Sequence, residues 1–373
     1  MSGIYIHIPY CKKACHYCDF HFSTTLHTKT DLIESMVREI EDRKNYLEEP
    51  VETIYFGGGT PSLLDKDEID TLLKVISTCF NVIPNPEITL EANPDDLTSS
   101  KLIDLKSSMI NRLSIGIQSF RNQDLELMNR AHNAKEAFTS VKIAKELGFD
   151  NITIDLIYGI PNLSLDAWQE NIESALSLDI QHLSAYCLTI EERTVFHKWQ
   201  SSKKIALPED QVSLAQFRLM QKQLKANGFE QYEISNFGKP GFYSKHNANY
   251  WRQKTYLGIG PSAHSFNGTT RSWNVRNNPT YIKAIQSGTA YSEEEVLSEK
   301  DKFNEYILTG LRTKWGISLE ILNQFKCYNS KELKSSMAKW ADQNHVQLTG
   351  TQFTLTDSGK FVADAIISDL FLV

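Results

Sequence analysis

The sequence predicts an α/β protein, and two patterns along the chain carry that prediction. From residue 1 to about residue 190, short β-branched runs alternate with amphipathic stretches, which is typical of βα units around a parallel sheet. This part holds six candidate strands, fewer than the eight that close the usual barrel. We therefore expect a partial, TIM-like (β/α)6 barrel whose open side leaves room for a large substrate. A helix, helix and hairpin pattern near the C-terminus adds a smaller α+β, winged-helix-like module.

Short-range signals predict the elements of the barrel in chain order. Ile33, Val37 and Ile40 recur at helical spacing, and Gly148 directly follows a helical segment, as a C-cap does. The predicted strands are residues 4–8, 53–56, 87–91, 112–117, 151–156 and 182–188. The predicted helices between them are residues 29–47, 66–78, 135–147 and 165–178.

After residue 190 the alternation ends, and we expect two further units. A helical stretch at 209–227 precedes a Gly-, Asn- and aromatic-rich region at 229–273, which we interpret as loops that carry a site. From Ser298 onward, two helices precede a hairpin centred on Gly350, which predicts the winged module. The predicted domains are the barrel at 1–190, the site region at 191–297 and the winged module at 298–373.

Composition and charge exclude several classes of protein. The 373 residues are 41% hydrophobic and 23% charged, which is ordinary for a globular chain and excludes a disordered one. Lys and Arg number 39 against 46 Asp and Glu, and the net charge of −7 disfavours nucleic acid as the main partner. The chain has no run of roughly 18 apolar residues and begins without the pattern of a secretion signal. We therefore expect a cytoplasmic protein without an integral membrane segment.

Half of the six cysteines lie close together near the N-terminus, as Cys11, Cys15 and Cys18. An odd trio in a chain without a secretion signal does not fit a disulfide framework, and its loop follows the first predicted strand, where barrels keep their chemistry. Three thiolates can ligate three irons of a [4Fe-4S] cluster and leave the fourth iron open for an external chelate. The alternative is a structural zinc site, which would recruit a nearby histidine: His7, His16 or His21.

The C-x3-C-x2-C spacing of this trio resembles the signature of radical S-adenosylmethionine (SAM) proteins, whose cluster reduces the sulfonium of SAM. The resemblance implies a radical SAM barrel in which the amino and carboxylate groups of SAM chelate the open iron. Tyr17 matches the aromatic residue that packs beside the adenine in that family. The turn at 57–61 matches the run that contacts the methionine amino group, which assigns Gly58, Gly59 and Thr60 to the cofactor site.

Further cofactor positions follow from the oxygen-independent coproporphyrinogen III oxidase branch of that family, which the whole chain resembles. By that resemblance the SAM pocket is lined by Tyr5, Glu91, Gln118, Arg130 and Asp155. A carboxylate there can accept hydrogen bonds from the ribose hydroxyls, and a guanidinium can donate two to the methionine carboxylate. Taken alone, each charged residue could equally stabilise a loop.

The run from His246 to Trp251 matches the HNxxYW motif, which in the haem chaperones of this branch is associated with haem binding. By this resemblance His246 is the predicted haem ligand, since imidazole is a natural axial ligand of haem iron and aromatic rings offer flat surfaces to the macrocycle. The alternative is a hydrogen-bonded core histidine beside packed rings. His264, in a second turn-rich run, is expected to border the same cleft, and its role stays open.

Two departures from the oxidases separate the functional alternatives. The oxidases carry a further cysteine where this chain has Phe20, and they place a long N-terminal segment before the cluster loop. With the HNxxYW motif, these departures favour a haem chaperone that holds a 4Fe-4S cluster and SAM and delivers haem to an acceptor protein. Haem-requiring respiratory complexes are candidate acceptors by family analogy. The alternatives are oxygen-independent coproporphyrinogen III oxidation and radical opening of haem, and no catalytic residue is assigned.

Overall fold

The main sheet confirms the predicted partial barrel. The computed structural model describes residues 1–327 and 330–372, so residues 328, 329 and 373 of the predicted winged module lie outside it. The barrel strands are Ser2–Ile8 (β1), Val51–Gly58 (β2), Val82–Ala92 (β3), Arg112–Gln118 (β4), Ile152–Tyr158 (β5) and His182–Cys187 (β6). Each of β1 to β5 pairs in parallel with the next strand along the chain. The carboxyl ends of these strands therefore meet at one end of the barrel.

Helices connect the barrel strands and pack against them through buried apolar residues. They are Lys29–Asp42 (α1), Lys66–Cys79 (α2), Ser99–Ser107 (α3), Asn122–Leu127 (α4), Ala134–Glu146 (α5) and Leu165–Ser177 (α6). α2 begins with a capping box between Asp65 and Glu68, and α5 begins with one between Asn133 and Glu136. These caps satisfy amide groups that the first helical turn leaves unpaired, so the starts predicted near residues 66 and 135 agree with the structure.

The helices differ from the prediction in two respects. α1 ends at Asp42 and not at residue 47, and the Arg43 guanidinium just beyond it donates hydrogen bonds to the Gly258 carbonyl and the Ser265 hydroxyl, at 3.1 and 3.0 Å. The prediction also missed α3 and α4, since nine and six residues are too few for a clear helical period. None of the helices in the described ranges combines the length and apolar character that crossing a membrane requires.

Residues 191–297 extend both edges of the barrel. They form Val195–Ser201 (α7), Asp210–Ala226 (α8), Glu230–Glu233 (β7), Asn236–Gly238 (β8), Lys245–Trp251 (α9), Tyr256–Ile259 (β9), His264–Phe266 (β10), Thr270–Asn274 (β11), Asn278–Ser287 (α10) and Ser292–Val296 (β12). β9 pairs in parallel with β1, and β8 pairs antiparallel with β6. The sheet has 12 strands in the order β12-β11-β10-β9-β1-β2-β3-β4-β5-β6-β8-β7, so added strands narrow the expected open side.

The prediction of loops at 229–273 is wrong, because this region contains α9 and five strands. Strands of three to five residues are too short to show a clear alternation of apolar and polar side chains. Gly258 illustrates the difficulty: a Cβ there would lie 2.1 Å from the His264 carbonyl oxygen. The glycine therefore marks a close approach between two backbones and not a turn.

A second apolar core, separate from that of the barrel, forms near the C-terminus. Its elements are Glu299–Leu311 (α11), Ile317–Ser318 (β13), Leu319–Leu322 (α12), Ser330–Asp342 (α13), Val346–Thr349 (β14), Gln352–Leu355 (β15) and Ala363–Leu370 (α14). β14 and β15 form the predicted hairpin, and Gly350 in its turn has a φ of +62°. A three-stranded sheet packed with helices confirms the small α+β, winged-helix-like module. The boundaries at residues 190 and 297 stay predictions.

Candidate functional site

The clustered cysteines lie on the loop that follows β1, at the carboxyl end of the barrel strands. The His16 amide donates a hydrogen bond to the Met128 carbonyl at 3.0 Å, and the Asn129 side chain donates one to the Ala14 carbonyl at 2.7 Å. Asn129 adopts a left-handed φ of +59°, which asparagine tolerates better than most residues. These bonds attach the cysteine loop to the segment after α4, which carries Arg130.

Cys11, Cys15 and Cys18 are half-buried free thiols. The Thr60 hydroxyl donates to the Cys11 Sγ at 3.5 Å, and the Arg130 guanidinium donates to the Cys15 Sγ at 3.3 Å. Burial raises the pKa of Cys18 to about 11 and also raises the pKa of Cys11, so both thiolates need a positively charged partner. Iron ions supply such a partner, so this set of donors fits an iron–sulfur cluster.

The histidines that a zinc site would recruit are engaged elsewhere. His7 Nε2 is 3.2 Å from the His21 carbonyl, His16 Nδ1 is 2.9 Å from the Leu127 carbonyl, and His21 Nε2 is 2.7 Å from the Asn278 side-chain oxygen. In the described ranges, no three His, Cys, Asp or Glu side chains are grouped around a single-ion site. Three thiols that bind separate irons do not need such a group, so the geometry favours a cluster over zinc.

The glycine turn after β2 packs directly on the cysteine loop. A Cβ on Gly59 would lie 2.6 Å from the Tyr10 carbonyl oxygen, so only glycine fits this contact. Gly58 adopts a φ of +109°. Its amide donates to Glu91 at the end of β3 at 3.2 Å, and the Tyr55 hydroxyl donates to the same carboxylate at 2.8 Å. The turn therefore lies between the cysteine loop and the half-buried carboxyl group of Glu91.

Arg130 connects the cysteine loop with two barrel strands. Its guanidinium donates to the Asn93 side-chain oxygen at 2.6 Å, the Gly116 carbonyl at 2.7 Å and the Tyr17 hydroxyl at 3.4 Å, besides its contact with Cys15. The Arg130 Nε is buried and has no hydrogen-bond partner in the described part of the chain. A buried unpaired donor fits an acceptor on a bound ligand. The sequence prediction missed Asn93, whose only signal is the Asn-Pro pair that ends β3.

Two half-buried carboxyl groups lie inside the barrel. Burial raises the pKa of Glu91 to about 7 and the pKa of Asp155 to about 6. A Cβ on Gly57 would lie 2.9 Å from the Tyr5 ring and 3.1 Å from a Glu91 oxygen, so these side chains crowd one point. Gln118 ends β4 with a φ of +69°. The structure thus brings the predicted SAM-pocket residues to one part of the barrel: Tyr5, Tyr17, Gly58, Gly59, Thr60, Glu91, Gln118, Arg130 and Asp155.

A cavity of about 610 Å³ adjoins this part of the barrel. One wall is the segment after the cysteine loop, where Phe20 is 72% exposed. A second wall is the sheet extension of β9 to β11, and the third combines Trp251 of α9 with residues of α11. An ion pair of 2.7 Å between Arg271 and Glu305 joins the second wall to the third. The volume lies within the ~300–1,000 Å³ of typical small-molecule sites.

His246 lies outside this cavity, on α9 and not in the predicted loop. Its Nδ1 is 2.8 Å from the Thr53 hydroxyl, its Nε2 is 2.9 Å from the Tyr250 hydroxyl, and the residue is 2% exposed. It packs on Gly3 at the start of β1, which lies about 16 Å from Ile8 at the end of that strand. Burial lowers the pKa of His246 to about 3. Haem ligation by His246 stays a prediction, and it would require one of these hydrogen bonds to break.

The cavity does contain the two aromatic residues of the motif. Tyr250 and Trp251 line it together with His264, which confirms the expectation that the two runs border one cleft. Arg271 and Arg276 also line it, and the sequence prediction missed both. Neither arginine belongs to a recognisable motif. Arg271 reaches the cavity because β11 pairs with β10, and Arg276 lies just beyond the end of β11.

Comparisons with known proteins agree with this geometry. Residues 5–175 match the Radical SAM superfamily. Over 371 residues the chain is 36% identical to the heme chaperone HemW of Bacillus subtilis (strain 168), and the match covers 98% of both chains. The chain belongs to the HemW family. A HemW of Lactococcus lactis is 35% identical over 375 residues and covers 98% of both chains.

The fold of this HemW family member also resembles a solved enzyme structure. Coproporphyrinogen III oxidase (HemN) from Escherichia coli, a radical SAM enzyme, superposes with a TM-score of 0.85 at 23% identity. The match covers 99% of this chain and 90% of HemN. Because it extends well past residue 175, the fold likeness includes the sheet extension and the C-terminal module.

Proposed function

We propose that the protein binds haem in the cavity and transfers it to an acceptor protein, while the barrel holds a 4Fe-4S cluster and SAM. The observation that carries the proposal is the cavity of about 610 Å³ between the cysteine loop and the C-terminal module. The relatives of the protein are named heme chaperones, which supports the proposal. We also propose that the protein is cytoplasmic and that a haem-requiring protein is the acceptor, as expected from the sequence.

The cavity walls suit a flat macrocycle with acidic side chains. Aromatic rings of Phe20, Trp251, Tyr256 and Phe266 offer apolar surfaces on which a porphyrin can pack. Arg276 donates a hydrogen bond to the Asp19 carbonyl and has no ion-pair partner among the residues that the structure describes. Its guanidinium can therefore pair with a propionate, and a charge-assisted pair of this kind is stronger than a neutral hydrogen bond.

Cys11, Cys15 and Cys18 would bind three irons of the cluster, and SAM would occupy the fourth. When bound, the cluster supplies single electrons for the reduction of SAM. Arg130 would position the cysteine loop for the cluster through its hydrogen bond to Cys15, and its unpaired Nε can donate to a ligand. The half-buried carboxyl of Glu91 provides further acceptors for a polar cofactor, and the glycine turn provides amide donors.

Anaerobic reconstitution with iron and sulfide, followed by two parallel assays, tests this proposal. We expect one cluster per chain, saturable haem binding followed by absorbance, and no release of CO2 from coproporphyrinogen III. A variant with Cys11, Cys15 and Cys18 replaced by Ala is expected to lose iron and sulfide. Turnover of coproporphyrinogen III without affinity for haem would instead establish the oxidase, and bound zinc without sulfide would exclude the cluster.

A further inference from the structure

Of the three histidines that line the cavity, His7, His21 and His264, only His264 makes no side-chain hydrogen bond within the described part of the chain. His264 is the first residue of β10, it lines the cavity, and its side chain is exposed. In the described part of the chain, neither of its ring nitrogens has a hydrogen-bond partner. The Trp273 ring on β11 packs at a centroid distance of 6.2 Å and restricts the orientation of the imidazole. A nitrogen of His264 is therefore free to coordinate a ligand without losing an existing hydrogen bond.

The other histidines near the cavity are less available. His7 uses both ring nitrogens, with the Tyr5 hydroxyl at 3.2 Å and the His21 carbonyl at 3.2 Å. His21 uses its Nε2 with Asn278. His246 uses both nitrogens and lies behind Tyr250, outside the cavity. Coordination by His246 or His7 would break a hydrogen bond in a buried site, and such a loss costs about 1–3 kcal/mol.

The residues around His264 also suit the macrocycle and the propionates of haem. Phe266, two residues along the same strand, lies on the same face of the sheet and lines the cavity with Tyr256 at a ring distance of 6.3 Å. Arg271 and Arg276 line the same cavity. Partial desolvation by the cavity walls and the charge of Arg271 lower the pKa of His264, which favours the neutral imidazole that binds iron. Aromatic surface, guanidinium groups and a free imidazole thus meet in one place.

We propose that His264, and not His246, is the axial ligand of haem in this cavity. The proposal rests on the proposed haem-binding function and assigns its ligand. Neutral imidazole donates a nitrogen lone pair to the haem iron, so binding changes no oxidation state and transfers no group. The Nε2 to Tyr250 hydrogen bond of His246 then stays in place when haem binds.

Titration of the cluster-reconstituted protein with ferric haem tests the assignment, because the Soret and charge-transfer bands report the axial ligand. We expect His264→Ala to change these bands and to weaken haem binding at least about tenfold. Added imidazole is expected to restore the bands of the unaltered protein. His21→Ala is the matched control, since it removes another imidazole from the same cavity. Circular dichroism and iron content check that each variant is folded, and the exposed, unbonded His264 side chain predicts no change in either.

The outcomes separate this inference from the proposed function. Unaltered bands and affinity in His264→Ala, with haem still bound by the unaltered protein, would overturn the ligand assignment alone. Loss of haem in His246→Ala, while His264→Ala keeps it, would also overturn it and restore the motif histidine. If the unaltered protein does not bind haem at all, the proposed function fails, and the assignment fails with it.

Discussion

His182 and His246 are both buried near the end of the barrel where the strands begin. His182 Nδ1 is 3.0 Å from the Thr153 hydroxyl, and its Nε2 is 2.8 Å from the Tyr232 hydroxyl. Each imidazole is bonded through both nitrogens, which a neutral ring can satisfy as one donor and one acceptor. These residues therefore act in the folded chain as uncharged members of a polar network.

We expect His182 to make the stability of the fold sensitive to acid. Burial and the charge of Arg112 lower the pKa of His182 well below 6.5 in the folded state. Below pH 6.5 the unfolded chain binds a proton there that the folded chain does not, so stability falls as the pH falls. The free energy of unfolding of the natural protein relative to His182→Gln should decrease by about 1 kcal/mol between pH 6.5 and 5.5. Urea titrations of both proteins at both pH values measure this difference in the free energy of unfolding. A difference that is the same at pH 6.5 and 5.5 would show that His182 does not contribute to acid sensitivity.

Replacement of His246 tests whether this residue is structural. His246→Ala removes two hydrogen bonds and a ring that packs on Tyr55 at 5.0 Å, so we expect the free energy of unfolding to drop by about 3 kcal/mol. The exposed His27 supplies the control, and His27→Ala should change the free energy of unfolding by no more than about 0.5 kcal/mol. Iron content and haem affinity per folded molecule should persist. Loss of haem from folded His246→Ala would return the ligand role to this residue.

At the scale of elements, the contact between the glycine turn and the cysteine loop determines the shape of the cluster site. Gly59→Ala would push a methyl group against backbone atoms of Tyr10 and Ile8 at 2.6 to 2.9 Å. We expect the loop to shift and the reconstituted protein to hold at most about half the iron and sulfide, with a stability loss of about 2 kcal/mol.

Gly268→Ala is the control for this prediction. Gly268 has a φ of +95°, yet nothing lies within 4 Å of its Cβ position, so alanine there adds backbone strain without a clash. Chemical analysis of iron and sulfide should find a full cluster in this variant. Equal iron content in Gly59→Ala and Gly268→Ala would show that the packing of the turn does not control the cluster site.

The elements also show how far a sequence allows prediction. All six barrel strands and their four long helices are predictable, because the strands are short β-branched or apolar runs and amphipathic helical stretches alternate with them. β7 to β11 are not, since they have only three to five residues each, and β8 and β9 are held by barrel strands far back along the chain: β9 pairs with β1, more than 240 residues earlier. The contacts of Arg43, just after α1, are equally non-local, because its partners lie on β9 and β10.

At the scale of the whole molecule, the candidate site divides into a predictable and an unpredictable part. The residues of the cysteine loop and of the predicted SAM pocket lie at or near the ends of consecutive barrel strands. Motif spacing and family resemblance are therefore enough to predict them. The cavity forms where the cysteine loop, the sheet extension and α11 meet, and these come from three distant parts of the chain. Arg271, Arg276 and the ion pair to Glu305 therefore become visible only in the fold.

Hydrogen–deuterium exchange with and without haem tests most directly whether this cavity is the haem site. We expect slower exchange on haem binding in residues 19–21, 250–276 and 305–309, which border the cavity. Exchange at the barrel strands, including 112–118 and 152–158, should be unchanged. Stoichiometric haem binding with protection confined to segments outside the cavity would contradict the account.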